Sequence, residues 1–255
     1  MDNVITQMKE RIKYILILLL VTLNATAQER EVENRPYTDL RPFHFGVVVG
    51  THLQDIEFKN MGPQTITNED GTTSVKTVTC DQDRWDPGFT VGVLGEFRLG
   101  TYLAFRLAPT MYFGTRHLTF YNHTDLDTNG NQKEERQDLK SVYIAATMDL
   151  IYSAQRFNNY RPYIIAGLNP MLNISSKESD YIKLKRYDCY FEIGVGCDFY
   201  LPFFKLRPEL KFCYSLLNTL DKNHAKDIKD KNMLMYTNSV VDARTKMVAL
   251  SFYFE

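Results

Sequence analysis

An excess of charge of one sign is missing from this sequence. Its 255 residues carry a formal net charge of -1, so no strong field draws it to nucleic acid. Long apolar runs are scarce too: beyond residue 27 none is long enough for a membrane-spanning helix. Cysteine is sparse, and Cys80, Cys189, Cys197 and Cys213 lack the spacing of metal ligands. Cys189 and Cys197, on one strand, would stand about 26 Å apart, too far to bridge within it. All four read as free thiols that fill space. The 5 His include no HExxH pattern or close ligand pair. No metal or cofactor is expected. Aromatic rings are what the chain has in plenty: 16 Tyr and 16 Phe against 1 Trp, side chains that favour strands. Composition alone suits a soluble all-β domain.

The N-terminus argues for export. Lys9, Arg11 and Lys13 precede the apolar run Ile15–Leu23, and Ala25 and Ala27 follow at small-residue positions. This is the layout of a secretory signal peptide cut between Ala27 and Gln28. The run is too short to span a bilayer unaided, and no Cys stands at the cleavage site for a lipid anchor. The expected organisation is a signal peptide at 1–27, a periplasmic lead-in at 28–41 and one β domain at 42–255.

Alternation then dominates. Phe43, Phe45, Val47 and Val49 share one face of the first run, and Phe89, Val91, Val93 and Phe97 one face of the next. Leu103, Phe105, Leu107, Pro109, Met111 and Phe113 give the cleanest period of two. Pro109 cannot donate to a ladder, so a bulge or local irregularity is expected there. Val142 to Tyr152, the run from Tyr160, two runs between Phe191 and Phe212, and Val248 to Phe254 complete eight candidate strands. Their connections alternate long and short, and the polar stretch 54–86 is read as a loop. A soluble sandwich has no reason to obey that rhythm. An outer-membrane barrel does, with long outer loops and short periplasmic turns, because closure pairs every lipid-embedded backbone group. The expectation is all-β: an eight-stranded antiparallel transmembrane (outer-membrane) β-barrel preceded by a cleaved signal peptide, with outer-membrane lipids as its surroundings.

That reading assigns the charges. Apolar rows face lipid, while Glu192, Asp198, Lys205, Arg207, Glu209 and Lys211 face inward, joined by Glu96, Arg98, Arg106 and Asp149 from other strands. An eight-stranded barrel is only wide enough for its own interior side chains, so a packed polar plug is expected, not an aqueous pore. The competing reading, a soluble barrel with its apolar row inside, fits the same alternation but neither the signal peptide nor the loop rhythm. Arg161, at the start of a strand on the periplasmic rim, is either a girdle residue meeting headgroups or a contact for a periplasmic partner.

Two blocks, "RFNNYRPYIIAGLNP" and "FEIGVGCDFYLPFFKLRPELKF", resemble the PorT family of the Bacteroidetes outer membrane, and the terminal "SFYFE" agrees more loosely. The resemblance implies a barrel of the type IX secretion and gliding motility machinery, which exports folded cargo bearing a C-terminal signal. It implies an accessory or assembly role without catalytic residues, and partners among other secretion-system membrane or periplasmic proteins. Glu255 after Phe254 departs from the aromatic ending that aids insertion of such barrels.

Other functions have thinner support. A structural or adhesive surface barrel would work through the loops near 53–86 and 218–238. A lipid-modifying outer-membrane enzyme would need a base such as His52 to meet a rim Ser or Asp. "DLDTNG" starts like a calcium loop with Asp125, Asp127, Asn129 and Gly130, but Arg136 stands where a bidentate Glu is required. His117, His123, Asp125 and Asp127 could gather in one outer loop.

Overall fold

Period-two patterning builds ten β-strands in the computed structural model, which describes residues 32, 34–67, 72–126, 132–175, 181–228 and 231–255. They are β1 (Phe43–Asn60), β2 (Pro63–Thr67), β3 (Thr73–Asp81), β4 (Asp86–Arg98), β5 (Leu103–Leu126), β6 (Gln132–Ser153), β7 (Tyr160–Asn173), β8 (Tyr187–Tyr200), β9 (Lys205–Ser215) and β10 (Val240–Phe254). All except β2 and β3 form a closed antiparallel ring in the order β1, β4, β5, β6, β7, β8, β9, β10, with β10 pairing back to β1. The expected signal peptide lies outside the described residues.

Side chains alternate across the wall. On β6, Ile144, Met148, Leu150 and Tyr152 point out and are exposed, while Ala145, Thr147, Asp149 and Ile151 point in and are buried. At about 3.3 Å per residue and a tilt near 40°, the apolar row from Val142 to Tyr152 rises roughly 25 Å, the height of an outer-membrane apolar band. Short turns join the strands at the end where β1 starts and β10 finishes. That is the periplasmic end.

The opposite end overturns the reading of 54–86 as loop. β1 runs on to Asn60, and β2 and β3 form a hairpin. β3 takes β4's place beside β5, pairing Val78 with Asn122 and Asp81 with Thr119. The cause is a reversal of polarity along single strands. Above the band the outward row of β1 becomes Asp55, Glu57 and Lys59, facing Lys246, Arg244 and Asp242 of β10 in register. Lys246 Nζ lies 3.2 Å from Glu57 and 3.7 Å from Asp55. The inward row turns apolar. Ile56, Val78, Leu118, Phe120 and Leu139 bury one another beneath Ile182, Leu220, Met235 and Tyr236. Phe120 meets Tyr236 edge-on at 5.5 Å. Met235 and Tyr236 come from a short helix, Lys231–Thr237, in the connection before β10. The chain therefore has two storeys on continuous strands: greasy outside below, greasy inside above.

Pro109 marks the local irregularity expected there, without a bulge. The β4–β5 ladder skips two pairs beside it, between Gly92↔Thr110 and Gly95↔Leu107, yet the register is the same on both sides. The missing N–H is absorbed as a local gap.

If the lower storey faces acyl chains, Met148→Arg should cost about 2–4 kcal/mol near mid-bilayer. Gln132→Arg, on the same face of β6 but above the band, should stay within about 0.5 kcal/mol. Urea unfolding of the barrel from lipid vesicles measures both; equal costs would contradict the assigned depth.

Candidate functional site

The lower storey's bore is filled by ion pairs. Arg106 of β5 stands in register with Glu96 of β4 and Asp149 of β6. Its guanidinium donates to Glu96 Oε2 at 3.2 and 3.3 Å, and its Nη1 donates to Glu209 Oε1 at 2.6 Å. β5 and β9 are diametrically opposite in the ring, so the Arg106–Glu209 bond spans the bore. Arg207, also on β9, donates to Glu96 and to Glu255, each at 2.5 Å. Its Nε is 2.6 Å from Asp198 Oδ1, but both atoms lack a well-aligned hydrogen bond; this is an ion pair by charge more than by direction. Lys211 Nζ bridges Asp149 at 2.6 Å and Glu192 at 2.7 Å. Lys205 pairs with Glu255, and His44 Nδ1 sits 3.3 Å from the same carboxylate.

Neutral donors and rings complete the set. Tyr163 donates to Glu209 at 2.7 Å, and Asn169 to Glu192 at 3.2 Å. Arg106 lies over the Tyr253 ring at 4.3 Å and Arg207 over Tyr163 at 4.9 Å, contacts that favour a cation. Glycine makes the crowding fit. Gly167 stands between Asp149 and Glu192 in register, and a Cβ there would fall 2.4 Å from Asp149 Oδ1. Burying ions is costly unless every charge is paired. Here Arg106, Lys205, Arg207 and Lys211 meet six carboxylates, those of Glu96, Asp149, Glu192, Asp198, Glu209 and Glu255. The anions are in excess, and Arg106, Arg207 and Lys211 are each shared among three of them.

Nine of the residues assigned to the lumen from sequence meet in this network. Arg98 does not. It lies at the periplasmic mouth and donates to the carbonyls of Gly100 at 3.2 Å and Leu40 at 3.3 Å. Arg161 does not splay toward headgroups. It donates to Ala154 O at 2.8 Å and Thr101 O at 2.7 Å, tying two turns together, with Asp39 3.9 Å away. Glu255 was missed as a network member, although alternation after the outward Phe254 points it inward.

The lead-in closes that mouth. Asn34 Nδ2 donates to Tyr200 O at 3.1 Å, Arg35 Nη1 to Glu255 O at 2.9 Å, and the Tyr200 hydroxyl to Asp39 at 2.6 Å. Arg156 donates to the carbonyls of Asn34 and Arg35 and lies over the Tyr200 ring at 3.5 Å.

The minor constellations disperse. His52 is buried in the bore beside Thr90, at 3.1 Å, and among the described residues it meets no rim Ser or Asp. His123 sits by Thr79 at 2.9 Å. Asp125 accepts from Lys76 at 2.7 Å and from Asn122 at 2.9 Å, and the Lys76 ammonium holds its carboxyl below the usual range. Asp127, Asn129 and Gly130 lie outside the described residues. Among the described residues no three His, Cys, Asp or Glu are arranged to hold a metal ion, and the four thiols are unpaired.

An apolar-coated, eight-strand ring with a polar interior defines an outer-membrane barrel. The sequence matches the outer membrane protein beta-barrel domain over residues 26–221, and the chain belongs to that family. No curated protein matches it in sequence. Among solved structures it is similar to Neisserial surface protein A (NspA), at 10% identity and a TM-score of 0.40, covering 84% of this chain and 98% of that one. At that score the likeness adds nothing to the ring already described.

Lys211→Met should cost about 3–5 kcal/mol, because it leaves Glu192 without a cation, facing across Gly167 an Asp149 that keeps only Arg106, 3.9 Å away. Asp149→Asn removes one of the surplus anions and should cost about 1 kcal/mol or less. Denaturant midpoints of the refolded variants test this ordering, and a reversed order would refute the sharing of Lys211.

Proposed function

We propose that this protein is a non-conducting, non-enzymatic outer-membrane barrel that supports assembly or operation of the type IX protein secretion machinery. The observation that carries the reading is the filled bore. A lumen crossed by Arg106–Glu209 and closed below by the lead-in cannot pass folded cargo, so any part in export falls to the barrel's surfaces. The two sequence blocks that resemble the PorT family support the same reading. They encode β7, β8, β9 and their periplasmic turns, which carry Arg161, Glu192, Asp198, Arg207, Glu209 and Lys211 as well as Arg156 and Asn159, both of which bind the lead-in. Around that mouth stand exposed apolar side chains. Phe203, at the tip of the β8–β9 turn, is 92% exposed, and Tyr37, Leu40 and Leu99 are also exposed. They suit a periplasmic partner.

A second reading, a structural or adhesive surface barrel, draws on the cored upper storey, which holds the β2–β3 hairpin and the helix before β10 in defined places.

Deletion in the source organism, complemented by the native protein, separates the two. The secretion reading expects cargo with the C-terminal signal to be retained on deletion, and the purified barrel to show no steady conductance in planar bilayers. It also expects rescue by a chain whose β2–β3 hairpin is cut to a short turn, and no rescue by Phe203→Asp. Normal surface delivery of all such cargo in the deletion strain would falsify it.

A further inference from the structure

Just above the apolar band, the outer wall of β4, β5 and β6 bears a polar cleft that the bore does not use. On β5 the outward row passes from Phe113, stacked on Phe89 at 4.7 Å, through Thr115 to His117 and Thr119. His117 lies about 10 Å higher than Phe113 along the tilted strand, the depth of lipid headgroups. Trp85, 41% exposed, flanks the same level, where indoles favour the interface.

The cleft is lined by Asp83, Arg84, His117, Thr119, Arg136 and Asp138. Its floor is built. Asp86 is fully buried and holds His117 twice, accepting from its backbone N at 2.7 Å and lying 2.8 Å from its Nδ1. That fixes the ring with Nε2 turned toward the cleft, 3.9 Å from Asp138. Asp83 accepts from the Thr119 and Tyr121 hydroxyls, each at 2.9 Å. Arg84 reaches Asp86 at 3.2 Å, and Arg136 touches Glu134 at only 3.5 Å; their side chains are 68% and 77% exposed. Guanidinium groups and carboxylates thus converge on one opening. A purely anionic headgroup would face Asp83 and Asp138 uncompensated, and a purely cationic one would face Arg84 and Arg136.

We infer that this cleft seats an outer-leaflet lipid whose headgroup is a zwitterion carrying both a phosphate and a primary ammonium. The phosphate lies against Arg84 and Arg136, where guanidinium groups give charge-assisted bonds. The ammonium lies toward Asp83 and Asp138. The acyl chains run down past Phe113 and Phe89. A quaternary ammonium cannot donate hydrogen bonds to those carboxylates, so choline should be a poorer fit than ethanolamine.

The test uses the full barrel in nanodiscs of phosphatidylcholine doped equally with phosphatidylethanolamine and phosphatidylglycerol. Lipids retained after mild extraction are counted by native mass spectrometry. Phosphatidylethanolamine should be retained over both others by about fivefold, the scale of one charge-assisted bond at an exposed site. Arg136→Ala should remove most of that preference, and Asp138→Asn should shift it toward phosphatidylglycerol. Both side chains are exposed and outside either core, and heat-modified gel mobility reports that each variant is folded. Equal retention of the three lipids, a native preference for phosphatidylglycerol, or variants that keep the native preference would each overturn the assignment.

Discussion

The salt bridge from Arg106 to Glu209 crosses the full width of the bore, and the lower storey is organised around it. A guanidinium buried in so narrow a tube is tolerable only if several acceptors reach it. Glu96 comes from the neighbouring strand and Glu209 from the far wall, with Tyr253 beneath. Arg207 and Lys211 repeat the arrangement on either side, and each shares its carboxylates with the next cation. The result is a continuous column in which no cation can leave without exposing a carboxylate. This separates the barrel from porins, whose wider rings leave room for water.

Much of this is legible in the sequence because bilayer and bore impose opposite demands on alternate residues. On β8 and β9 the demand is unbroken: Ile193, Val195, Leu206 and Leu210 outside, Glu192, Asp198, Arg207 and Glu209 inside. There the facing of every charge can be read directly. Arg98 follows the same alternation yet escapes the network, because at the mouth of a tube the inward direction is no longer enclosed. Arg161 looks like a girdle residue by position, but its reach to turn carbonyls depends on how two turns fold beside each other, which no local pattern records.

The upper storey was hidden for a different reason. Above the membrane the solvent changes, so the same strands need polar residues outside and apolar ones within. Ile56, Leu118 and Phe120 keep the period of two but reverse its meaning. In β3 the signal thins to Val78 and Cys80 among threonines and charges, which reads as loop. Its strand character comes from β5, which offers an open edge once β4 has ended at Asp86. The buried Asp86 likewise gives no sequence signal of its grip on His117, since the two are brought together only by that strand exchange.

The reversal also gives the molecule a fixed waterline. Asp55, Glu57 and Lys59 on one strand and Asp242, Arg244 and Lys246 on the next form a charged collar on the rim where the two storeys meet. Sinking by one residue pair would drag that collar into hydrocarbon, and rising would lift phenylalanines into water. The barrel is therefore unable to drift vertically to suit the sheet of lipid around it. Where the surrounding membrane is thicker than the greasy belt, it is the membrane that must dimple inward to meet the protein.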